Sequence, residues 1–166
     1  MPTDFLTLVC RDHVDLQVEL TRLLDLSATE AQLRSSLDGV RLGLTAHAEA
    51  EDIVLGRFDA LPELEAVVAQ ARASHLAQEG SLSALVCAAP GTSVWRNRAN
   101  YLRELVHHHA KQEEQQLLPA LRRLAPRELY DSLAGAFATE RLRQLSNLQP
   151  SAPLRLIDLS SYAPMT

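Results

Sequence analysis

The sequence contains little of several residue types that define other classes of protein. Its 166 residues include two cysteines, six glycines and eight prolines, and aromatic residues make up 4 %. Two cysteines are too few for a disulfide framework, and we expect both to be reduced. The small share of Gly and Pro, beside 46 % hydrophobic residues, favours a globular chain over a disordered one. Few aromatics and abundant leucine and alanine favour helices over a sheet.

Basic stripes and long apolar runs are also missing. The net charge is −5 and acidic and basic residues alternate along the chain, so the sequence predicts no nucleic-acid partner. No apolar run approaches the ~18 residues that a membrane-spanning helix needs. The first residues, MPTDFL, do not have the basic segment and apolar run of a secretory signal. We therefore expect a cytoplasmic protein without a membrane segment.

Apolar residues recur in steps of three and four along four segments of the chain. The segments are residues 6–23, 33–58, 64–89 and 102–124. This spacing is typical of the buried faces of helices in a left-handed bundle. The breaks between segments are short, so neighbouring helices should be antiparallel. The predicted fold is all-α: an up-down-up-down four-helix bundle, an additional C-terminal helix at about residues 126–146, and an irregular tail.

Prolines divide the last part of the chain. Pro119 lies inside the fourth segment, where it should kink or locally loosen the helix because it has no backbone N–H to donate. Pro150, Pro153 and Pro164 interrupt the C-terminal residues. We therefore predict a bundle domain over residues 1–148 and a tail over residues 149–166, which would lie on the bundle or on a neighbouring subunit.

Each apolar segment carries a histidine at a position that leucine, valine or alanine otherwise fills, and two of these histidines are followed four residues later by glutamate. The residues are His13, His47, Glu51, His75, His109 and Glu113. A four-residue step returns to the same face of a helix, so each His and Glu can aim at one point. An isolated buried carboxylate costs several kcal/mol or takes up a proton, whereas a bound cation would pair with it. The sequence thus predicts a transition-metal site, iron first.

Three consecutive histidines, His107 to His109, require a choice of ligand. Only His109 is followed four residues later by a carboxylate, and only His109 lies on the apolar face of its segment. We therefore assign His109 to the site and keep His108 as a minor candidate for an outer position. One buried histidine alone is more often a core residue satisfied by hydrogen bonds. A structural helical module with incidental histidines accordingly remains an alternative.

At these residues the chain resembles the hemerythrin-like family, the HHE cation-binding domain. The match lies in His13, His47 to Glu51, His75 and His109 to Glu113, with Leu-Leu-Pro following at residues 117–119. The resemblance implies two non-haem iron ions, joined by an oxo or hydroxo bridge, inside a four-helix bundle. Glu51 and Glu113 would bridge the irons. His13 and His47 would serve one iron, and His75 and His109 the other, although manganese or zinc would accept the same ligand types.

The third segment departs from the oxygen-carrying hemerythrins, which have His-x-x-x-His there. In this chain Glu79 follows His75 by four residues and Ala71 precedes it by four. Glu79 either supplies a further metal ligand or faces away and leaves one iron with an open position. Both interpretations give a site that differs from a reversible carrier.

The resemblance implies a function in binding dioxygen or in decomposing hydrogen peroxide, as a catalase-like oxidoreductase. A second class is a non-catalytic oxygen or iron sensor, or another metal-binding protein. The chemical behaviour of the metal-loaded protein towards peroxide would separate the two classes.

Overall fold

The computed structural model describes residues 3–148, which form an all-α fold without a strand in that range. The helices are α1 (Phe5–Arg22), α2 (Glu30–Leu55), α3 (Glu65–Val86), α4 (Ser93–Gln112), α5 (Leu118–Leu124) and α6 (Arg127–Leu148). A π-helical segment, Glu113–Leu117, joins α4 to α5. The predicted all-α bundle with an additional C-terminal helix is confirmed. The predicted tail lies outside the described residues, and the domain boundary at residue 148 stays a prediction.

Four helices close into a ring. Helix α1 packs against α2 and α4, and α3 packs against the same two helices. Helix α6 lies outside this ring along α2 and α1. No helix within residues 3–148 combines the length and the apolar character needed to cross a membrane.

Side-chain caps start the second and fourth helices of the ring. The Thr29 hydroxyl accepts the Gln32 backbone N–H at 3.2 Å, and the Gln32 side chain accepts the Thr29 N–H at 2.8 Å. This reciprocal pair satisfies two of the backbone donors left free at a helix start. Thr92 caps α4 by accepting the Trp95 N–H at 3.2 Å. Gly91, just before it, has a φ of +77°, a conformation that glycine adopts without strain.

Two apolar clusters fill the bundle, one on each side of a polar layer. One cluster includes Phe5, Val9, Ala50, Ala71, Leu117 and Phe137. The other includes Leu16, Leu44, Leu82, Trp95 and Val106. Along each of the four apolar segments defined above, the histidine lies between a member of the first cluster and a member of the second. The histidines are therefore at one level, as their spacing predicts.

The helix changes from α-helical to π-helical just before Pro119, where the sequence predicts a kink or a local loosening. Just before it, the Leu118 N–H donates to the Glu113 carbonyl, five residues back, instead of four. This wider turn brings the side chains of Glu113 and Glu114 to the same imidazole, that of His13. Short π-helical segments within α-helices often occur at functional sites.

Candidate metal centre

All six side chains predicted as metal ligands lie together in the middle of the bundle. Each is at most 5 % exposed; they are His13 from α1, His47 and Glu51 from α2, His75 from α3, His109 from α4 and Glu113 from the π-helical segment. Four helices and the π-helical segment therefore contribute to one buried cluster.

The four imidazoles form two pairs. The ring centroids of His13 and His47 are 5.1 Å apart, and those of His75 and His109 are 4.7 Å apart. The distances between the pairs are longer, at 6.4 Å for His13 to His109 and for His47 to His75. We refer below to the His13–His47 pair and the His75–His109 pair.

The two carboxylates lie between these pairs. Glu113 Oε2 is 3.0 Å from His13 Nε2, and Glu113 Oε1 is 2.9 Å from His109 Nε2. Glu51 Oε2 is 3.5 Å from both His47 Nε2 and His75 Nε2. Each carboxylate thus contacts one imidazole of each pair. Two carboxylates in such positions could each be shared by two cations.

Ligand atoms approach closely enough for two cation positions. In one group, His13, His47 and Glu113 each offer an atom within 4.8 Å of the others. In the other group, the same limit holds for Glu51, His75, His109 and Glu113. Glu113 belongs to both groups, which is consistent with a shared ligand.

Most of the inward-facing nitrogen and oxygen atoms that could bind a metal have no hydrogen bond within the described part of the chain. These atoms are Nε2 of His47, His75 and His109, both carboxylate oxygens of Glu51, and Oε1 of Glu113. The close contact between Glu113 Oε1 and His109 Nε2 does not have hydrogen-bond geometry. Buried polar atoms are rarely left without a partner because their desolvation is costly. A set of imidazole and carboxylate donors fits iron, manganese or zinc, and a bound cation would satisfy these atoms.

Electrostatic interactions shift the pKa values of the two carboxylates in opposite directions. Burial and the neighbouring Glu113 raise the pKa of Glu51 above its ordinary value. Burial also disfavours the charged form of Glu113, but His109 and His13 outweigh it and hold the pKa of Glu113 well below its usual range. Two facing carboxylates in a dry interior repel one another, so cations are the natural partners for both.

Carboxylates in and around the cluster raise the pKa of two of the imidazoles. Burial lowers the pKa of His13, but Glu113 and Glu114 raise it to about 8. Asp52 and Glu51 likewise overcome burial and raise the pKa of His75 to about 10. A cation must displace these protons, because only a neutral imidazole nitrogen binds a metal.

A second layer of carboxylates contacts the Nδ1 atoms of three imidazoles. His13 Nδ1 donates to Glu114 Oε1 at 2.8 Å, and His75 Nδ1 donates to Asp52 Oδ1 at 2.8 Å. His47 Nδ1 lies 3.3 Å from Asp12 Oδ2. Such contacts fix the ring orientation and direct the Nε2 lone pair at a metal.

Sequence reasoning missed these three outer carboxylates, although a signal was present. Asp12, Asp52 and Glu114 each stand next in sequence to a predicted ligand, namely His13, Glu51 and Glu113. Each contacts an imidazole from a different helix, and for Asp52 and Glu114 this is an imidazole that the neighbouring Glu51 or Glu113 also contacts. An acidic residue beside a ligand position on a bundle helix is therefore the pattern to look for.

Glu79 lies apart from the cluster. Its side chain is exposed on α3 and borders a groove between α2 and α3, whereas Ala71, one turn before His75, is buried. Of the two interpretations of Glu79, this location favours the one in which it faces away from the metals. His107 and His108 are also exposed, so among the three consecutive histidines only His109 enters the cluster.

Grooves on two sides of the bundle lead to the cluster. The larger, of about 590 Å³, runs between α1 and α4, with His13 and Glu114 among its lining residues and Val14 and Val18 on its wall. A smaller groove of about 120 Å³ lies between α2 and α3 and reaches His75 and Asp52. Both imidazole pairs are therefore close to a surface opening.

Comparison with known proteins gives one finding. A family model described as the Hemerythrin HHE cation binding domain matches residues 4–121, a range that includes all six clustered residues and ends before α6. Neither the curated proteins nor the solved structures gave a match.

Proposed function

The chain belongs to the hemerythrin HHE cation-binding domain family, and on this premise we propose that its buried cluster binds two non-haem iron ions that react with dioxygen or hydrogen peroxide. The observation that carries the proposal is the set of buried donor atoms without partners, arranged as two imidazole pairs with two carboxylates between them. Six polar side chains in the core would be strongly destabilising unless cations engaged them.

In this proposal the His13–His47 pair holds one ion and the His75–His109 pair holds the other. Glu51 and Glu113 are shared, because each contacts an imidazole of both pairs. When bound, the iron pair would supply the electrons and the open coordination positions for reaction with a dioxygen-derived molecule.

The protein's own residues orient the ligands and limit access. Asp12, Asp52 and Glu114 hold three imidazoles by Nδ1, so that their Nε2 atoms face the interior. Apolar clusters on both sides of the layer keep water away from the ion positions along the bundle axis, and the grooves reach the layer from the side, at His13 and His75. Because Glu79 is exposed on α3, it would not act as a ligand at the His75–His109 pair, and the ion held there would keep a coordination position for a small molecule.

Hydrogen peroxide is the substrate to test first. Two molecules of peroxide yield two of water and one of dioxygen, so the reaction needs no external reductant. Peroxide is small and uncharged, and the groove between α1 and α4 approaches the cluster at His13.

The test is oxygen evolution from peroxide by the iron-loaded protein, followed with an oxygen electrode. We expect turnover in the unaltered protein and its loss in Glu51→Gln, which removes a shared carboxylate. Glu49→Gln is the matched control, since Glu49 is exposed two residues away on the same helix.

A stable complex with dioxygen or peroxide, without oxygen evolution, would instead indicate the non-catalytic sensor. Failure to bind metal at all would indicate a structural helical module.

A further inference from the structure

Helix α6 lies beyond the residues that the family model matches, yet it reaches the metal centre. The match ends at residue 121, whereas α6 spans Arg127–Leu148 and packs along α2 and α1. Two of its side chains, Phe137 and Arg141, are one turn apart and face the same histidine region.

Arg141 is connected to His47 through a single carboxylate oxygen. The Arg141 Nε–H donates to Asp12 Oδ2 at 2.6 Å, and the same oxygen is 3.3 Å from His47 Nδ1. This chain of contacts joins α6, α1 and α2.

Asp12 needs a charged partner because it is only 8 % exposed. A buried carboxylate without a cation nearby would be costly and would rearrange or take up a proton. Arg141 supplies this cationic partner and holds the Asp12 carboxylate in place.

Phe137 holds the same imidazole from another side. Its ring centroid is 5.8 Å from that of His47, at an interplanar angle of 82°, and it also packs edge-on against Phe5 at 5.6 Å. The imidazole of His47 is thus fixed by Asp12 at Nδ1 and by an aromatic ring from α6.

We propose that α6 is part of the metal centre and that Arg141 is a positioning residue: it fixes Asp12, which in turn directs His47 Nε2 at the ion of the His13–His47 pair. The inference rests on the proposed two-ion function. It concerns one pair only, because His75 is held by Asp52 from α2.

The test is an anaerobic calorimetric titration of the metal-free protein with Fe²⁺, comparing Arg141→Met with Arg143→Met. Arg143 is a matched control, because it lies on the same helix and pairs with Glu140 at the surface. We expect Arg141→Met to keep one ion at the unaltered affinity and to bind the second about 10–100-fold more weakly, as is usual when an outer partner of a ligand is lost. Arg143→Met should match the unaltered protein.

Two ions bound by Arg141→Met with unaltered affinity would overturn the inference while leaving the proposed function intact. Equal weakening of both ions would also overturn it, because a general loss of structure affects both pairs. If Arg141→Met does not fold, Arg141→Gln supplies the same comparison with a polar side chain. Failure of the unaltered protein to bind two ions would remove the proposed function and this inference together.

Discussion

The His13–His47 pair and the His75–His109 pair have the same ligand types but are held in place differently. Asp12, which contacts His47, is buried and receives a hydrogen bond from Arg141 on α6. Asp52, which contacts His75, has a side chain that is 35 % exposed and borders the groove between α2 and α3. In the first pair, His47 is thus held by a network of three helices, whereas His75 of the second pair is held by a carboxylate near the surface. Two ion positions with the same ligand types therefore need not have the same affinity for an ion.

The largest loss of metal is expected when Glu113, which lies between the two pairs, is replaced. Glu113 contributes to both groups of ligand atoms. Glu113→Gln keeps the side-chain volume but removes the charge, so we expect both ions to bind more than about 100-fold more weakly, beyond the range seen for outer partners. Metal content after gel filtration measures this loss.

Glu104→Gln is the control for this experiment, because Glu104 is exposed on α4. Two ions retained by Glu113→Gln at unaltered affinity would contradict a shared role for this carboxylate.

Removal of one imidazole should weaken binding of the ion at its own pair and leave the other ion bound. His47→Gln and His75→Gln each remove one ligand atom from one group, so each variant should retain about one ion per chain. The measurement is iron per chain by elemental analysis. If either variant lost both ions, the two positions would not be independent, and the assignment of one pair to each ion would be wrong.

The outer carboxylates should produce smaller and unequal effects. Asp12→Asn leaves the partly buried guanidinium of Arg141 without its charged partner, so we expect a loss of about 1–3 kcal/mol in the free energy of unfolding of the metal-free protein. Asp52→Asn replaces a carboxylate that is 35 % exposed to water, although its partner His75 is buried, and should cost less, about 1 kcal/mol. Urea denaturation of both variants tests this order, and a larger loss for Asp52→Asn would reverse the comparison.

The smallest effect is expected at Glu79. Since this side chain is exposed and lies outside both groups, Glu79→Gln should leave the iron content and the Fe²⁺ affinity unchanged. Isothermal titration provides the check. A loss of the ion at the His75–His109 pair would restore the interpretation of Glu79 as a ligand.

The fold and the inner cluster were predictable because both follow from helical periodicity. A histidine such as His75 replaces an apolar residue on the buried face of its helix. When four such histidines lie at the same height in a bundle, their imidazoles converge. The loosening at Pro119 also followed from a property of one residue, its missing N–H.

The outer contacts were not predictable from periodicity. Asp12 lies beside the seam of α1 and contacts an imidazole of α2, so its role depends on how two helices are rotated against each other. Arg141 is more distant still, because α6 packs outside the ring and its contact with Asp12 joins residues 129 positions apart in the chain. Sequence spacing within one helix carries no information on such contacts.

We propose that the six buried side chains bind two ions. The most direct test is the iron content of the protein, expressed with sufficient iron and purified without a polyhistidine tag. We expect two irons per chain. Sub-stoichiometric metal of any kind in a correctly folded protein would contradict it.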